Sequence, residues 1–147
     1  MRVILQRSLA SNVVVNEEIV GAIDAGLVIL VGFTNDDNET DIDYLVNKII
    51  NLRIFDDEAG VMNKSLLDVG GSILSISQFT LYADTRKGRR PSYINALEPV
   101  EATRLYNLFN LKLRESNIKV EEGIFGADMT VNITNDGPVT IMMESRE

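Results

Sequence analysis

A chain of 147 residues, 45% hydrophobic and 24% charged, has room for one domain that buries about two-thirds of its unfolded surface, and none for a second. Its 14 basic and 22 acidic residues give a net charge of −8, which opposes non-specific coating of nucleic acid. Histidine and cysteine are both absent, which excludes a Ser-His-Asp triad, a Cys-His pair, an imidazole base and every Cys/His zinc site.

Residues 2–7, 12–16, 18–23 and 27–34 are short and rich in Val and Ile, with polar or glycine breaks between them, and are predicted as strands joined in hairpins. The longest apolar run, Gly26 to Phe33, falls far below the roughly 20 residues that span a bilayer. The apolar stretch before Arg7 is too short for a signal peptide, so a cytoplasmic protein with no membrane partner is expected. Asn38 or Thr40 can cap a helix over 40–52 that turns Ile42, Leu45, Val46, Ile49 and Ile50 inward. The acids between Asp36 and Asp43 suit that helix N-terminus and lack the glycine and spacing of a calcium loop.

Arg53 to Phe55 reads as a short strand before a turn at 56–60, Gly70-Gly71 as a turn, and residues 73–83 as one long strand. Pro99 opens a second helix that carries Leu105, Leu108, Phe109 and Leu113 inward and ends near Ser116-Asn117. Strands at 118–123, 129–134 and 139–144 follow, the last two joined through Asn135-Asp136-Gly137-Pro138. The predicted class is α+β: a single domain, 1–147, with a mainly antiparallel or mixed sheet curled towards a barrel and two main helices.

Three segments can carry chemistry. On a strand, Ser77 and Phe79 would face one way and Gln78 and Thr80 the other; an activated hydroxyl there needs Lys, Asp or Glu as its base, and the sequence shows no obvious partner. Asn135 to Pro138 reads as a hairpin turn or, because proline and glycine permit cis geometry and close backbone approach, as a rigid corner that offers carbonyls to an ammonium. Arg86, Lys87, Arg89 and Arg90 put four cations in five residues, either a solvated loop or a phosphate contact on an acidic body. Phe125 and Met129 read as core or as pocket lining.

Gln6-Arg7, Leu52 to Phe55, Met62-Asn63, Ser77 to Ser92, Phe125 to Met129 and Asn135 to Thr140 together resemble the D-aminoacyl-tRNA deacylase family, also called D-tyrosyl-tRNA deacylase, almost end to end. The resemblance implies hydrolysis of the ester between a D-amino acid and the terminal ribose of tRNA, with no metal or organic cofactor. It implies a homodimer in which Gly137-Pro138 of each subunit, with a cis peptide, enters the other's pocket beside Ser77, Gln78, Phe79 and Thr80. By the same resemblance Arg7 orients the Gly-Pro segment, and Phe125 and Met129 line the pocket. A related branch carries Pro-Gln-Ala-Thr instead, so Ser77 and Phe79 place this chain with the D-selective branch.

On chemical grounds, backbone N–H groups at Phe79 and Thr80 are the expected oxyanion donors, and Thr80 as nucleophile or proton relay is the competing assignment. The expected partners are the acceptor end of aminoacyl-tRNA, held in part by Arg86, Lys87, Arg89 and Arg90, and a second copy of the chain, with no DNA. A non-catalytic dimeric module that grips D-amino acids or peptides is the alternative from another class; an amidase lacks the leaving-group assistance it would need.

Overall fold

The computed structural model describes residues 1–146. In chain order its strands are β1 (Arg2–Ser8), β2 (Ser11–Val15), β3 (Glu18–Ile23), β4 (Gly26–Gly32), β5 (Phe55–Asp56), β6 (Met62–Lys64), β7 (Ser72–Ser77), β8 (Val120–Glu122), β9 (Thr130–Asn132) and β10 (Asn135–Glu144). The helices are α1 (Glu39–Asn51), the four-residue α2 (Leu66–Val69) and α3 (Pro99–Glu115), with a 3₁₀ turn at Phe79–Tyr82.

The large sheet has the order β10-β1-β4-β7-β8. Its β10-β1 and β1-β4 pairs are antiparallel, whereas β4-β7 and β7-β8 are parallel. The two parallel pairs are separated in sequence by α1 with α2 and by α3, which supply the long crossovers parallel strands need. β3, β2 and β9 form a second, antiparallel sheet.

On one face of the large sheet Val3, Leu5, Leu27, Ile29, Val31 and Ile73 pack with Ile42, Leu45 and Ile49 of α1 and Leu105, Phe109 and Leu113 of α3. On the other face Val28, Leu74 and Ile76 meet Val13 and Ile23 of the small sheet. β4 is covered on both sides, which is why its sequence is a continuous apolar run rather than an alternation. The result is three layers: helices, large sheet, small sheet. The expected curl towards a barrel is not closed by hydrogen bonds, since β8 and β10 remain edges of the large sheet among the described residues.

α1 begins where the sequence places it. Asn38 Oδ1 accepts the Thr40 N–H at 2.9 Å, and Asp41 Oδ2 accepts the Asn38 N–H at 2.9 Å. Asp41 also receives two hydrogen bonds from Arg146, at 2.7 and 2.8 Å, and these hold its carboxyl well below the usual range against the opposing effect of burial. Asp37 pairs with the Met1 ammonium at 2.7 Å. Much of the acidic run is therefore occupied with capping and tethering.

Two predicted elements change. The strand predicted over 73–83 stops at Ser77: Gln78 N–H still donates to Val31 O at 2.7 Å, and the chain then winds into the 3₁₀ turn. Gly32 makes room for this, since a β-carbon there would stand 2.9 Å from Gln78 O and 3.1 Å from Leu81 Cβ. The alternation of faces expected for Gln78, Phe79 and Thr80 fails for that reason. Nor is 129–144 a hairpin, because β9 pairs with β2 while β10 pairs with β1. Between Gln6↔Thr140 and Ser8↔Asn135 the register slips, so residues 136–139 leave the ladder as a protruding corner. Of the smaller differences, the short strand predicted at 53–55 lies at Phe55–Asp56 and pairs with β6, and α2 has no counterpart among the predicted elements.

Candidate active site

A cleft of about 290 Å³ opens where β4 and β7 end, with Val31, Ser77, Gln78 and Phe79 on one side and Phe125 and Met129 on another. Thr80 lies one residue beyond this lining. Its Oγ1 accepts the Gln78 Nε2–H at 2.5 Å, and among the described residues no carboxylate or lysine is hydrogen-bonded to the Ser77 or Thr80 hydroxyl. A nucleophile activated by a neighbouring side-chain base therefore finds no support here.

The backbone offers more. A 3₁₀ turn leaves its first N–H groups without internal acceptors, and neither Phe79 N–H nor Thr80 N–H donates to another described group. They are available to an oxygen that develops negative charge at the end of β7. Behind them, the Tyr106 hydroxyl donates to Ser75 O at 2.7 Å, and its ring lies 5.9 Å from that of Phe125, so one α3 side chain braces both β7 and the opposite wall. Burial pushes the Tyr106 hydroxyl pKa up, which keeps it a donor.

Arg7, Gly137 and Pro138 do not line this cleft. Arg7 is only 9% exposed; it donates to Ile54 O at 2.8 Å and to Asp136 O at 3.2 Å, and it pairs with the Asp136 carboxylate at 3.3 Å and that of Asp56 at 3.5 Å. Asn135 Oδ1 accepts the Val139 N–H at 3.2 Å across the base of the corner. Gly137 has φ +126, and the Gly137-Pro138 peptide is cis.

The sheet register separates the two regions. Ser77 is level with Val31, and Val31 with Val3, whereas the Gly-Pro corner leaves the ladder beside Arg7. The corner thus sits about 13 Å further along the strands and three strand spacings, about 14 Å, across the sheet from its own chain's Ser77. One chain does not bring them together.

The basic loop rises between Asp84 and Ser92, which are bridged by backbone hydrogen bonds of 2.8 and 2.9 Å. Arg86 is held on Asp84 by bonds of 2.9 and 2.8 Å, which lower that carboxyl to about 2. Lys87, Arg89 and Arg90 are exposed and have no carboxylate within ion-pair distance among the described residues.

Sequence reasoning missed Asp128, an exposed acid in the cleft lining. The one signal for it is its place between Phe125 and Met129, the two residues read as pocket lining. It also missed Leu97 and Ala102 of the cleft wall, whose apolar character gives no hint of a site.

Residues 4–144 match the family model described as D-Tyr-tRNA(Tyr) deacylase. The chain belongs to that family. A D-aminoacyl-tRNA deacylase of Thermus aquaticus is 56% identical over 147 residues, covering all of this chain and 97% of the relative. One of Bacillus pumilus is 57% identical with both chains covered completely. Among solved structures, a c-Myc DNA Unwinding Element Binding Protein aligns with a TM-score of 0.94 at 38% identity over the whole of both chains. A probable eukaryotic D-amino acid tRNA deacylase shares the fold, with a TM-score of 0.81 at 21% identity over 97% of this chain and 98% of that one. As a member of the deacylase family the protein is a hydrolase.

Proposed function

We propose that this deacylase hydrolyses the ester joining a D-amino acid to the terminal ribose of tRNA, and that it works as a homodimer whose two sites are shared. The observation that carries the reading is the separation of the Gly137-Pro138 corner from the cleft of its own chain. A corner that protrudes at one end of the sheet can meet Ser77 to Thr80 only in a second copy.

In the assembled site the Gly137 and Pro138 carbonyls hold the substrate ammonium, with the Asp128 carboxylate nearby on the cleft lining adding negative potential. Backbone then occupies the direction an L side chain would take, while D side chains of many sizes point outwards. Glycine has no side chain to exclude, so glycyl-tRNA is also a substrate. The N–H groups of Phe79 and Thr80 stabilise the oxyanion as water attacks the carbonyl carbon, and the ribose 2′-hydroxyl beside the ester assists the water. An aminoacyl ester is labile enough for this arrangement to suffice without a side-chain base. Gln78 holds the Thr80 hydroxyl, and Phe125 and Met129 shape the wall. The reading needs no cofactor, and a cytoplasmic location suits it.

The test is hydrolysis of matched D- and L-tyrosyl-tRNA with chelator present. Rapid loss of the D-ester alone is expected, and Thr80→Val is expected to keep most of that activity. Equal loss of both esters would remove chiral selection by the Gly-Pro corner. Loss of neither would favour the binding module.

RNA binding is expected to divide the basic loop. Neutralising Lys87, Arg89 and Arg90 together should weaken tRNA binding and flatten the plot of log K against log salt by about 0.7–0.9 for each phosphate no longer neutralised. Arg86→Gln should leave the slope unchanged, because that guanidinium is already committed to Asp84. Titrations at several salt concentrations measure both, and equal effects from all four cations would contradict the division.

A further inference from the structure

We infer that Phe79 and Tyr93 form a stacking platform for the unpaired bases at the 3′ end of the RNA, set between the cleft and the basic loop. The inference rests on the deacylase reading for the identity of the RNA. The two rings meet edge to face with centroids 5.0 Å apart, yet in the single chain they remain 56% and 41% exposed, and the neighbouring Ile94 is 78% exposed. Large apolar side chains left in solvent as a group call for an occupant.

Their position names it. Phe79 lines the cleft, so one ring of the pair begins where the esterified end must sit. Tyr93 follows Ser92, the residue that closes the basic loop against Asp84, so the other ring stands at the foot of three cations that have no carboxylate partner among the described residues. A strand whose ester lies in the cleft and whose phosphates meet Lys87, Arg89 and Arg90 has to pass over these rings. On a chain of net charge −8, this is a local basic patch beside aromatic faces. That combination suits single-stranded nucleic acid, whose unstacked bases offer free π-faces, and not a duplex, whose faces are already covered.

The platform makes a prediction that the cations alone do not. Uncharged tRNA should bind the wild-type protein about tenfold more tightly with its unpaired 3′ tail than with the tail removed, the range that stacking of one or two bases provides. Tyr93→Ala should bind the two RNAs equally, at the strength of the trimmed one, with an unchanged salt slope, and Tyr93→Phe should restore the preference. A Tyr93→Ala protein that keeps the tenfold preference, or that loses affinity for both RNAs alike, would overturn the inference. So would a shift in the dimer dissociation constant with tail preference intact, which would mean that a second subunit covers the rings. Failure of the deacylase reading is separate: wild-type protein would show the tail preference and leave D-tyrosyl-tRNA intact.

Discussion

Gly137→Ala is expected to slow hydrolysis of D-tyrosyl-tRNA by about a hundredfold or more while leaving the protein folded. At φ +126 an L side chain is strained, and the new β-carbon would stand 2.9 Å from Val139 Cγ2 and 3.0 Å from Arg7 Nη2. The guanidinium cannot retreat freely, because Ile54 O and Asp136 hold it from other directions. The corner must move instead, and a displacement of about 1 Å at a positioning group costs roughly a hundredfold in rate. Residues 136–139 already lie outside the β ladder, so the fold should lose only about 1–3 kcal/mol. Single-turnover kinetics beside thermal unfolding separates the two effects. Near-normal hydrolysis by a folded Gly137→Ala protein would show that the corner does not shape the site.

The largest loss of stability is expected at Gly26, where β4 begins. A β-carbon there would lie 1.9 Å from Ser72 O and 2.6 Å from Ser72 N, both backbone atoms of the paired strand, at φ +140. No rotamer relieves this, so β7 must lift away from β4 at the first residue of their ladder. Gly26→Ala should therefore cost about 4 kcal/mol or more, well into the range reserved for named structural faults. Gly60 is the control: its φ is +76, but nothing lies within 4 Å of its added carbon, so Gly60→Ala should cost about 1 kcal/mol. Denaturant unfolding of the two variants compares them directly. Equal midpoints would show that the β4-β7 junction yields to the added carbon.

α1 and α3 are legible in the sequence because their apolar residues repeat with helical spacing and each start carries a cap or a proline. β1 and β4 are legible as short runs rich in Val, Ile and Leu that polar residues or glycines close off. The end of β7 is not, since Leu81 and Tyr82 have strand-like character and the decisive fact, the space above Gly32, belongs to another strand. For the same reason Asn135 to Pro138 resembles a hairpin turn: local residues signal a change of direction, while the choice of partner strand is made by the packing of two sheets. The site motifs stand out as residues, but their separation is a property of sheet order and register. Asp128 lies within the Phe125 to Met129 segment, but a lone acid in a loop has no pattern of its own that assigns it a role.

β1 lies between β4 and β10, with Arg2 opposite Glu144, so its pairing is complete only when a strand far away in sequence reaches it. β4, β7 and α3 can assemble around the cleft earlier, but until β10 arrives β1 presents an open edge to solvent and to other nascent chains. Contacts so distant in sequence make folding slow relative to helical proteins of this length. The corner that carries Gly137 belongs to β10, so it takes up its place beside Arg7 only when β10 pairs with β1.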